Sequence, residues 1–148
     1  IRNREFLTRK LKTIGEALKD IPEPESEHKV LNHVYSKFKL KKNGYINHRQ
    51  VDPNKPAPTV TARGDRKGGA MINHHPGNHR RLSVRETATI QTFPMNFLFK
   101  GNMTLGYLQV GNSVPPLLAE VIGRFLKKIE NRKIETFKDE IKLQVKLI

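Results

Sequence analysis

The sequence predicts an α+β fold, in which a small irregular lobe with short strands is followed by C-terminal helices. Two stretches carry the capping-box pattern that starts a helix, a Ser or Thr followed three residues later by Glu. A third stretch, 117–129, repeats apolar residues at helical spacing. Between them, residues 43–80 are rich in Gly, Pro, Asn and Asp, which favour turns. We therefore expect short strands within 43–80 and helices on both sides.

The first predicted helix lies within residues 11–21. Thr13 and Glu16 form its capping box, and Pro22 stops the pattern. The apolar positions recur at helical spacing: Leu11, Ile14, Leu18 and Ile21. The acidic, proline-containing segment that follows, 22–27, indicates a linker or an exposed turn.

Residues 29–42 predict a second amphipathic helix. Its apolar positions are Val30, Leu31, Val34, Tyr35, Phe38 and Leu40. The next stretch, 43–80, predicts loops with two short extended segments, Tyr45–Ile46 and the β-branched Thr59–Ala62. Loops of this length within a domain are usually functional or disordered.

Ser83 and Glu86 form the second capping box, which predicts a short helix ending before Phe93. A loop from Met95 to Gln109 is expected to carry three aromatic side chains, and the longest helix follows Pro116. Its apolar face comprises Leu117, Leu118, Val121, Ile122, Phe125, Leu126 and Ile129. The tail, 131–148, matches helical spacing and strand alternation alike, so both conformations stay open.

Composition points to a polyanionic partner. The 148 residues contain 28 Lys and Arg against 14 Asp and Glu, a formal charge of +14. Such a surplus favours nucleic acid, the alternative being a merely soluble basic protein. The absence of cysteine excludes a disulfide framework, a thiolate zinc site and a thiol nucleophile within this sequence. No apolar run reaches the roughly 20 residues that cross a bilayer.

Two segments have the residue types that bind phosphate or carboxylate groups. Residues 58–69 combine hydroxyls, arginines and glycines, which suit close contact with a nucleic-acid backbone, although a solvated basic turn has the same composition. Residues 111–113 precede a helix, so free amides are expected there, although Asn and Ser also serve simply as caps. His74, His75 and His79 lack good companion ligands, so a loop histidine that donates to a phosphate or a base is favoured over a metal site, and a structural role is favoured over both. No catalytic constellation emerges.

Residues 80–94 (RRLSVRETATIQTFP) and 109–116 (QVGNSVPP) closely resemble the last two motifs of the DNA cytosine-5 methyltransferases. Two upstream segments support this. Residues 52–61 (DPNKPAPTVT) look like the end of that family's target-recognition region, and 13–22 (TIGEALKDIP) resemble the helix after its central motifs. The resemblance covers most of residues 1–130.

The resemblance implies the C-terminal part of such an enzyme, as a fragment or as one subunit of a split methyltransferase. The family's Pro-Cys loop and its glycine-bearing turn for S-adenosylmethionine are absent, so no catalytic residue is assigned to this sequence. The family's thiolate attacks C6 of a flipped cytosine, after which C5 takes the methyl group. The expected parts are a helix after the catalytic domain (1–21), a recognition lobe with a bracing motif (22–100), a cofactor-closing motif with a returning helix (101–131) and a tail (132–148). The returning helix is expected to pack on an absent Rossmann-like S-adenosylmethionine-dependent domain.

The resemblance also assigns candidate residues. Double-stranded DNA would be contacted by Thr59, Thr61, Arg63, Arg66, Gly68, Gly69, Arg80 and Arg81. S-adenosylmethionine would be contacted by Asn112, Ser113 and Val114, and no metal is predicted. Arg80, Arg81 and Arg85 are expected to be either ion-paired or facing DNA, with structural bracing favoured for Arg85 and Glu86.

Partners and rival functions follow from the same resemblance. The expected partners are DNA and the catalytic half, on the same or a separate chain, with a homodimer as an option for the isolated chain. A restriction-modification enzyme of the prokaryotic cytoplasm is the leading hypothesis. The alternatives are a stand-alone DNA-binding protein derived from this family and a fragment of an RNA cytosine-5 methyltransferase.

Overall fold

The computed structural model describes residues 11–37, 51–62, 74–77 and 80–130. These residues contain four helices: α1 (Ile14–Leu18), α2 (Val84–Ile90), α3 (Met103–Asn112) and α4 (Pro116–Glu130). The chain divides into two units, one spanning Lys12–Pro116 and the other combining the first eleven residues with Leu117–Ile148. No β-strand occurs in the described part, which holds one isolated antiparallel bridge between His74 and Arg81. The predicted extended segment Thr59–Ala62 therefore has no strand partner there.

Helix α1 begins with the predicted capping box. The Thr13 side chain accepts from the Glu16 amide, and the Glu16 carboxylate accepts from the Thr13 amide. Two further amides of the first turn donate to carbonyls of residues 53–55. The Ile14 amide donates to the Lys55 carbonyl and the Gly15 amide to the Pro53 carbonyl, both at 2.9 Å. The helix is shorter than the predicted segment 11–21. Leu11 lies outside the helix and is exposed.

Helix α2 also starts with its predicted capping box, formed by Ser83 and Glu86. The amides of its first turn would have no partner within the helix. The Val84 amide donates to the Val34 carbonyl at 2.9 Å, and the Arg85 amide donates to the Asn32 carbonyl at 3.1 Å. Segment 31–37 thus caps α2 from outside.

The predicted helix at 29–42 is wrong over its described residues, 29–37, which form a turn and backbone without regular secondary structure. Asn32 has a left-handed backbone, with φ of 56°. Its side-chain amide pairs with the backbone of Phe99, accepting from its amide and donating to its carbonyl at 2.9 Å each. Long-range pairing therefore outweighs local helical periodicity. Residues 38–42 and the segment Tyr45–Ile46 lie outside the described residues.

The predicted loop at 95–109 is wrong from Met103 onward, where α3 begins. Asn102 caps α3 by accepting from the Leu105 amide at 3.0 Å, and Gly101 turns the chain into the helix with φ of 95°. Tyr107 and Val110 on α3 are buried.

The unit Lys12–Pro116, which we call the lobe, contains two hydrophobic clusters, and helix α2 contributes side chains to the packing of both. The first cluster contains Val84, Ala88, Phe99, Tyr107 and Val110, with Val60, Phe93 and Met103 packed against it. The second contains Ile14, Leu18, Val51 and Leu82, with Ile21, Ala57 and Ile90 packed against it. Because α2 contacts both α1 and α3, it is the central element of this unit.

Helix α4 confirms the predicted long helix, and Pro116 is its first residue. Phe125 is half-buried, and the other apolar side chains of the predicted face are exposed: Leu117, Leu118, Val121, Ile122, Leu126 and Ile129. Arg124 donates to Glu120 one turn away. Among the described residues, no helix has the length and apolar character needed to cross a bilayer. The tail, 131–148, lies outside the described residues.

Candidate DNA and cofactor site

The recognition segment, which we define as residues 59–62, combines exposed and anchored positions. Thr59 is exposed, Thr61 is half-buried, and Val60 between them packs against the first hydrophobic cluster. The segment therefore holds its predicted DNA-contacting threonines on an anchored backbone. The other predicted contacts of this region, Arg63, Arg66, Gly68 and Gly69, lie outside the described residues.

The end of the recognition segment lies directly on Gly111, near the end of α3. A Cβ atom at Gly111 would lie 2.5 Å from both Cα and N of Ala62 and 2.6 Å from the carbonyl carbon of Thr61. Only glycine allows two backbones to approach this closely. The structure thus brings together the predicted DNA segment and the predicted cofactor segment.

The cofactor turn, which we define as residues 112–114, differs from its predicted geometry. Gly111 and Asn112 end α3 instead of preceding α4 with free amides. The Ser113 amide and hydroxyl both donate to the Val110 carbonyl, at 3.3 and 2.6 Å. The expected set of free amides is therefore wrong, because the end of α3 already uses the Ser113 N–H.

The side chains of the cofactor turn nevertheless fit one wall of an S-adenosylmethionine pocket. Asn112 is exposed and offers an amide donor and a carbonyl acceptor, as a nucleoside or amino-acid group requires. Val114 is 58% exposed and presents an apolar surface suited to a ring. The remaining walls of such a pocket would have to come from other residues.

Arg80 is buried and ion-paired, which is the alternative to its predicted contact with DNA. Its side chain is only 2% exposed and donates to both carboxylate oxygens of Glu86, at 2.7 and 2.8 Å. It also donates to Glu23 at 2.8 Å. Burial acts to lower the pKa of Arg80, but the two carboxylates outweigh it and raise that pKa, so the guanidinium stays charged. Arg80 thus shows the ion-paired alternative.

Arg81 is likewise buried, with 1% of its surface exposed, so this structure does not present it to a phosphate. It forms the isolated bridge with His74, which is itself buried. His75 accepts from the Gly77 amide at 3.2 Å and lies 3.8 Å from Glu86. No group of three potential metal-ligating side chains converges in the described part of the chain.

Arg85 is buried and holds two chain segments together. It donates to the carbonyls of Leu31 at 2.8 Å, Pro94 at 3.0 Å and Phe97. Its guanidinium carbon lies 5.7 Å from the centre of the Phe99 ring. Burial lowers the pKa of Arg85, and an arginine remains charged in proteins nonetheless. This arrangement is the structural bracing that the sequence favoured for Arg85.

His33 joins the turn after α1 to the start of α2. Its ring is buried, with Nδ1 2.8 Å from the Ser83 hydroxyl and Nε2 2.7 Å from the Pro22 carbonyl. Because a carbonyl only accepts, Nε2 carries the proton and Nδ1 accepts from Ser83 in the neutral ring. Burial lowers the pKa of His33, which favours this neutral form.

Sequence reasoning missed the supporting roles of Glu23, Asn32 and His33. Their partners lie 50 to 67 residues away along the chain, and no local spacing indicates such pairs. One signal was available for Gly111. A glycine between two predicted ligand-binding segments can mark a close approach of backbones.

The model of the C-5 cytosine-specific DNA methylases matches residues 2–128. The chain therefore belongs to the C-5 cytosine-specific DNA methylase family.

Individual relatives carry names consistent with that family. The chain is 42% identical over 88 residues to the type II methyltransferase M.AquIB of Picosynechococcus, covering 52% of this chain and 60% of that protein. It is 34% identical over 119 residues to the DNA (cytosine-5-)-methyltransferase M.ApeKI of Aeropyrum pernix, covering 80% and 24%. A relative from Methanocaldococcus jannaschii is 35% identical over 134 residues, and the match covers 80% of this chain but 41% of the relative. The chain thus spans less than two thirds of each relative. No solved structure matches the chain.

Proposed function

We propose that this chain is the DNA-recognition and cofactor-closing part of a DNA cytosine-5 methyltransferase of a restriction-modification system. The observation that carries the proposal is the contact between the recognition segment and Gly111, which precedes the cofactor turn. DNA contacts and cofactor contacts would thereby lie next to each other on one lobe. The family match across residues 2–128 supports the same reading.

The roles divide between exposed and buried residues. Thr59 and Thr61 would contact the DNA backbone together with Arg63, Arg66, Gly68 and Gly69, while Asn112, Ser113 and Val114 would contact S-adenosylmethionine. The buried groups Arg80, Arg85 and Glu86 would hold these segments in place. S-adenosylmethionine would supply the methyl group, and the thiolate would come from the catalytic part, because this sequence contains no cysteine.

The catalytic part would dock on α4. The exposed apolar face of α4 is large, and such faces mark interaction surfaces. A second copy of this chain could cover the same face when the catalytic part is missing.

The test is reconstitution with the cognate catalytic part, on the same or a separate chain. Transfer of a labelled methyl group from S-adenosylmethionine to cytosine C5 in duplex DNA is expected from the mixture and from neither part alone. A folded, correctly matched pair that fails to methylate duplex DNA would contradict the proposal.

Two outcomes would indicate a different function for this chain. Methyl transfer to structured RNA in preference to duplex DNA would indicate an RNA methyltransferase. Sequence-specific DNA binding by this chain alone, at an affinity that the catalytic part does not improve, would indicate a stand-alone DNA-binding protein.

A further inference from the structure

At Gly111 the three atoms nearest to an added Cβ are all main-chain atoms of Thr61 and Ala62. Under 3.0 Å a Cβ contact requires something to move, and a flexible side chain can move cheaply whereas a backbone cannot. At Gly106 on the same helix, an added Cβ would meet only the Val84 side chain, at 2.9 Å. At Gly123 on α4 it would meet nothing within 4 Å.

Both backbones are held by side chains that pack in the first hydrophobic cluster. Val110 and Tyr107 fix the end of α3 in the first hydrophobic cluster, and the Tyr107 hydroxyl donates to the Leu82 carbonyl at 2.6 Å. Val60 fixes the recognition segment in that same cluster. A backbone shift at Gly111 must therefore move the less buried residues next to it, either Thr61 or the residues of the cofactor turn.

We propose that Gly111 is a positioning residue that couples DNA binding to cofactor binding. Contact with DNA at Thr59 and Thr61 sets the position of the Thr61–Ala62 backbone. That backbone lies against Gly111 and so sets the position of Asn112. Binding in the cofactor turn acts on the recognition segment through the same contact, because coupling between two sites is reciprocal. The inference rests on the proposed function and adds the route between its two sites.

The experiment uses the complete methyltransferase, with this chain and its catalytic part. The dissociation constant for duplex DNA is measured with and without S-adenosylhomocysteine, and the ratio is the coupling factor. For the wild type we expect a factor of about 5 to 150, the usual range for coupled sites. Gly111→Ala is expected to bring the factor close to one and to raise the KM for both DNA and S-adenosylmethionine.

Two matched variants separate coupling from general damage. Gly106→Ala disturbs the packing of the same helix, and Gly123→Ala adds the same methyl group in open space on α4. Both are expected to keep the wild-type coupling factor, even where Gly106→Ala lowers the melting temperature. A wild-type factor of one, or a Gly111→Ala factor equal to that of Gly106→Ala, would overturn the inference.

A second measurement needs no variant and covers the case in which Gly111→Ala fails to fold. In the wild-type enzyme, S-adenosylhomocysteine alone is expected to slow hydrogen exchange of the amides at 59–62. Unchanged exchange there, with protection in the cofactor turn, would overturn the inference. Failure of the proposed function would look different, since the wild-type enzyme would then transfer no methyl group to DNA.

Discussion

Arg80 and Glu86 form a buried ion pair in the lobe. Both side chains are at most 2% exposed, and Glu86 also accepts from the Ser83 amide at 2.7 Å. Glu23 adds a second carboxylate to Arg80 from the turn after α1. Removing one partner of such a pair leaves a buried charge uncompensated, which costs more than the pair itself contributes.

We expect Arg80→Ala to lower the free energy of unfolding by about 3 to 5 kcal/mol. Arg80→Lys keeps the charge but loses the two-pronged geometry, so an intermediate loss is expected. Urea unfolding of the isolated chain measures both. The exposed pair Arg124–Glu120 supplies the control, because Arg124→Ala should cost about 0.5 kcal/mol or less. Equal losses for the two alanine variants would show that Arg80 is not a buried support.

His33 makes stability depend on pH. Burial is the largest influence and lowers the pKa of His33. The hydrogen bond to the Pro22 carbonyl and the Glu86 carboxylate favour its protonated form, whereas His28 and Arg80 oppose it. Because its pKa lies below the ordinary value of 6.5 in the folded protein, the unfolded chain binds protons more readily. The His33 contribution is complete above pH 6.5 and is lost as the pH falls through the folded-state pKa.

We therefore expect the free energy of unfolding to fall as the pH drops from about 8 to about 5. His33→Gln retains a donor and an acceptor but does not titrate, so its stability should fall less steeply over that range. Urea unfolding across the range compares the two proteins. Parallel pH profiles would assign the dependence to other groups.

At the scale of the element, the end of α2 is a Schellman motif with an unfavourable residue. The Phe93 amide donates to the Ala88 carbonyl at 2.9 Å, and the Thr92 amide donates to the Thr89 carbonyl at 3.0 Å. Thr92 has a left-handed backbone, with φ of 65°. Glycine normally occupies this position, because a β-branched residue is strained there.

We expect Thr92→Gly to raise the free energy of unfolding by about 0.5 to 1 kcal/mol, since relief of strain exceeds the added freedom of the unfolded chain. Thermal unfolding measures the change. Gly101→Ala should act in the opposite direction, because Gly101 has φ of 95° and its Cβ would approach Leu105 at 2.8 Å. A destabilised Thr92→Gly would show that the threonine side chain contributes more than its backbone strain costs.

Helix α4 should behave as a docking surface. Because Leu118 and Ile122 are exposed, the double variant Leu118→Gln/Ile122→Gln should leave the stability of the isolated chain nearly unchanged. It should weaken binding of the catalytic part by tenfold or more, because burial of each aliphatic side chain contributes about 1.5 to 3 kcal/mol. Titration calorimetry measures the affinity, and Glu120→Gln on the same helix is the control. Unchanged binding would exclude this face, and a loss of self-association instead would indicate a homodimer.

At the scale of the whole molecule, the formal charge of +14 governs the response to salt. Binding to duplex DNA releases counterions, so affinity falls with salt in proportion to the number of phosphates contacted. We expect no such contacts from the buried arginines described above. We expect them from other Lys and Arg residues, with Arg63 and Arg66 as the candidates.

We expect the logarithm of DNA affinity to fall linearly with the logarithm of salt concentration. Arg63→Ala and Arg66→Ala should each make that slope shallower by about one. Fluorescence anisotropy with a labelled duplex at several salt concentrations gives the slopes. Arg124→Ala removes one positive charge elsewhere and should leave the slope unchanged. Equal effects of all three variants would indicate a general charge effect without defined contacts.

Local patterns predicted the helices whose signals are local. The capping boxes at Thr13 and Ser83 and the apolar repeat of α4 were confirmed because each depends on residues within a few positions. Helix α3 was missed because its apolar side chains do not form one clear stripe, and its start depends on Asn102 and a glycine turn. The helix predicted at 29–42 failed because Asn32 pairs with a backbone 67 residues away.

Sequence patterns indicate candidate residues for the site but not their geometry. The recognition segment and the cofactor turn are predictions from the sequence, whereas their contact at Gly111 arises only from tertiary packing. The arginines of 80–85 show the same limit. Their composition suggests phosphate binding, whereas distant carboxylates and carbonyls hold Arg80 and Arg85 in the interior.

Long sequence separations between hydrogen-bonded partners also determine when the lobe can fold during translation. Asn32, His33 and Leu31 pair with Phe99, Ser83 and Arg85, which follow 50 to 67 residues later. At a ribosomal rate of about 5 to 20 residues per second, the earlier segment waits roughly 3 to 13 s for these partners to be made. The nascent lobe thus cannot close until translation has passed Phe99, and chaperones have that interval in which to hold it.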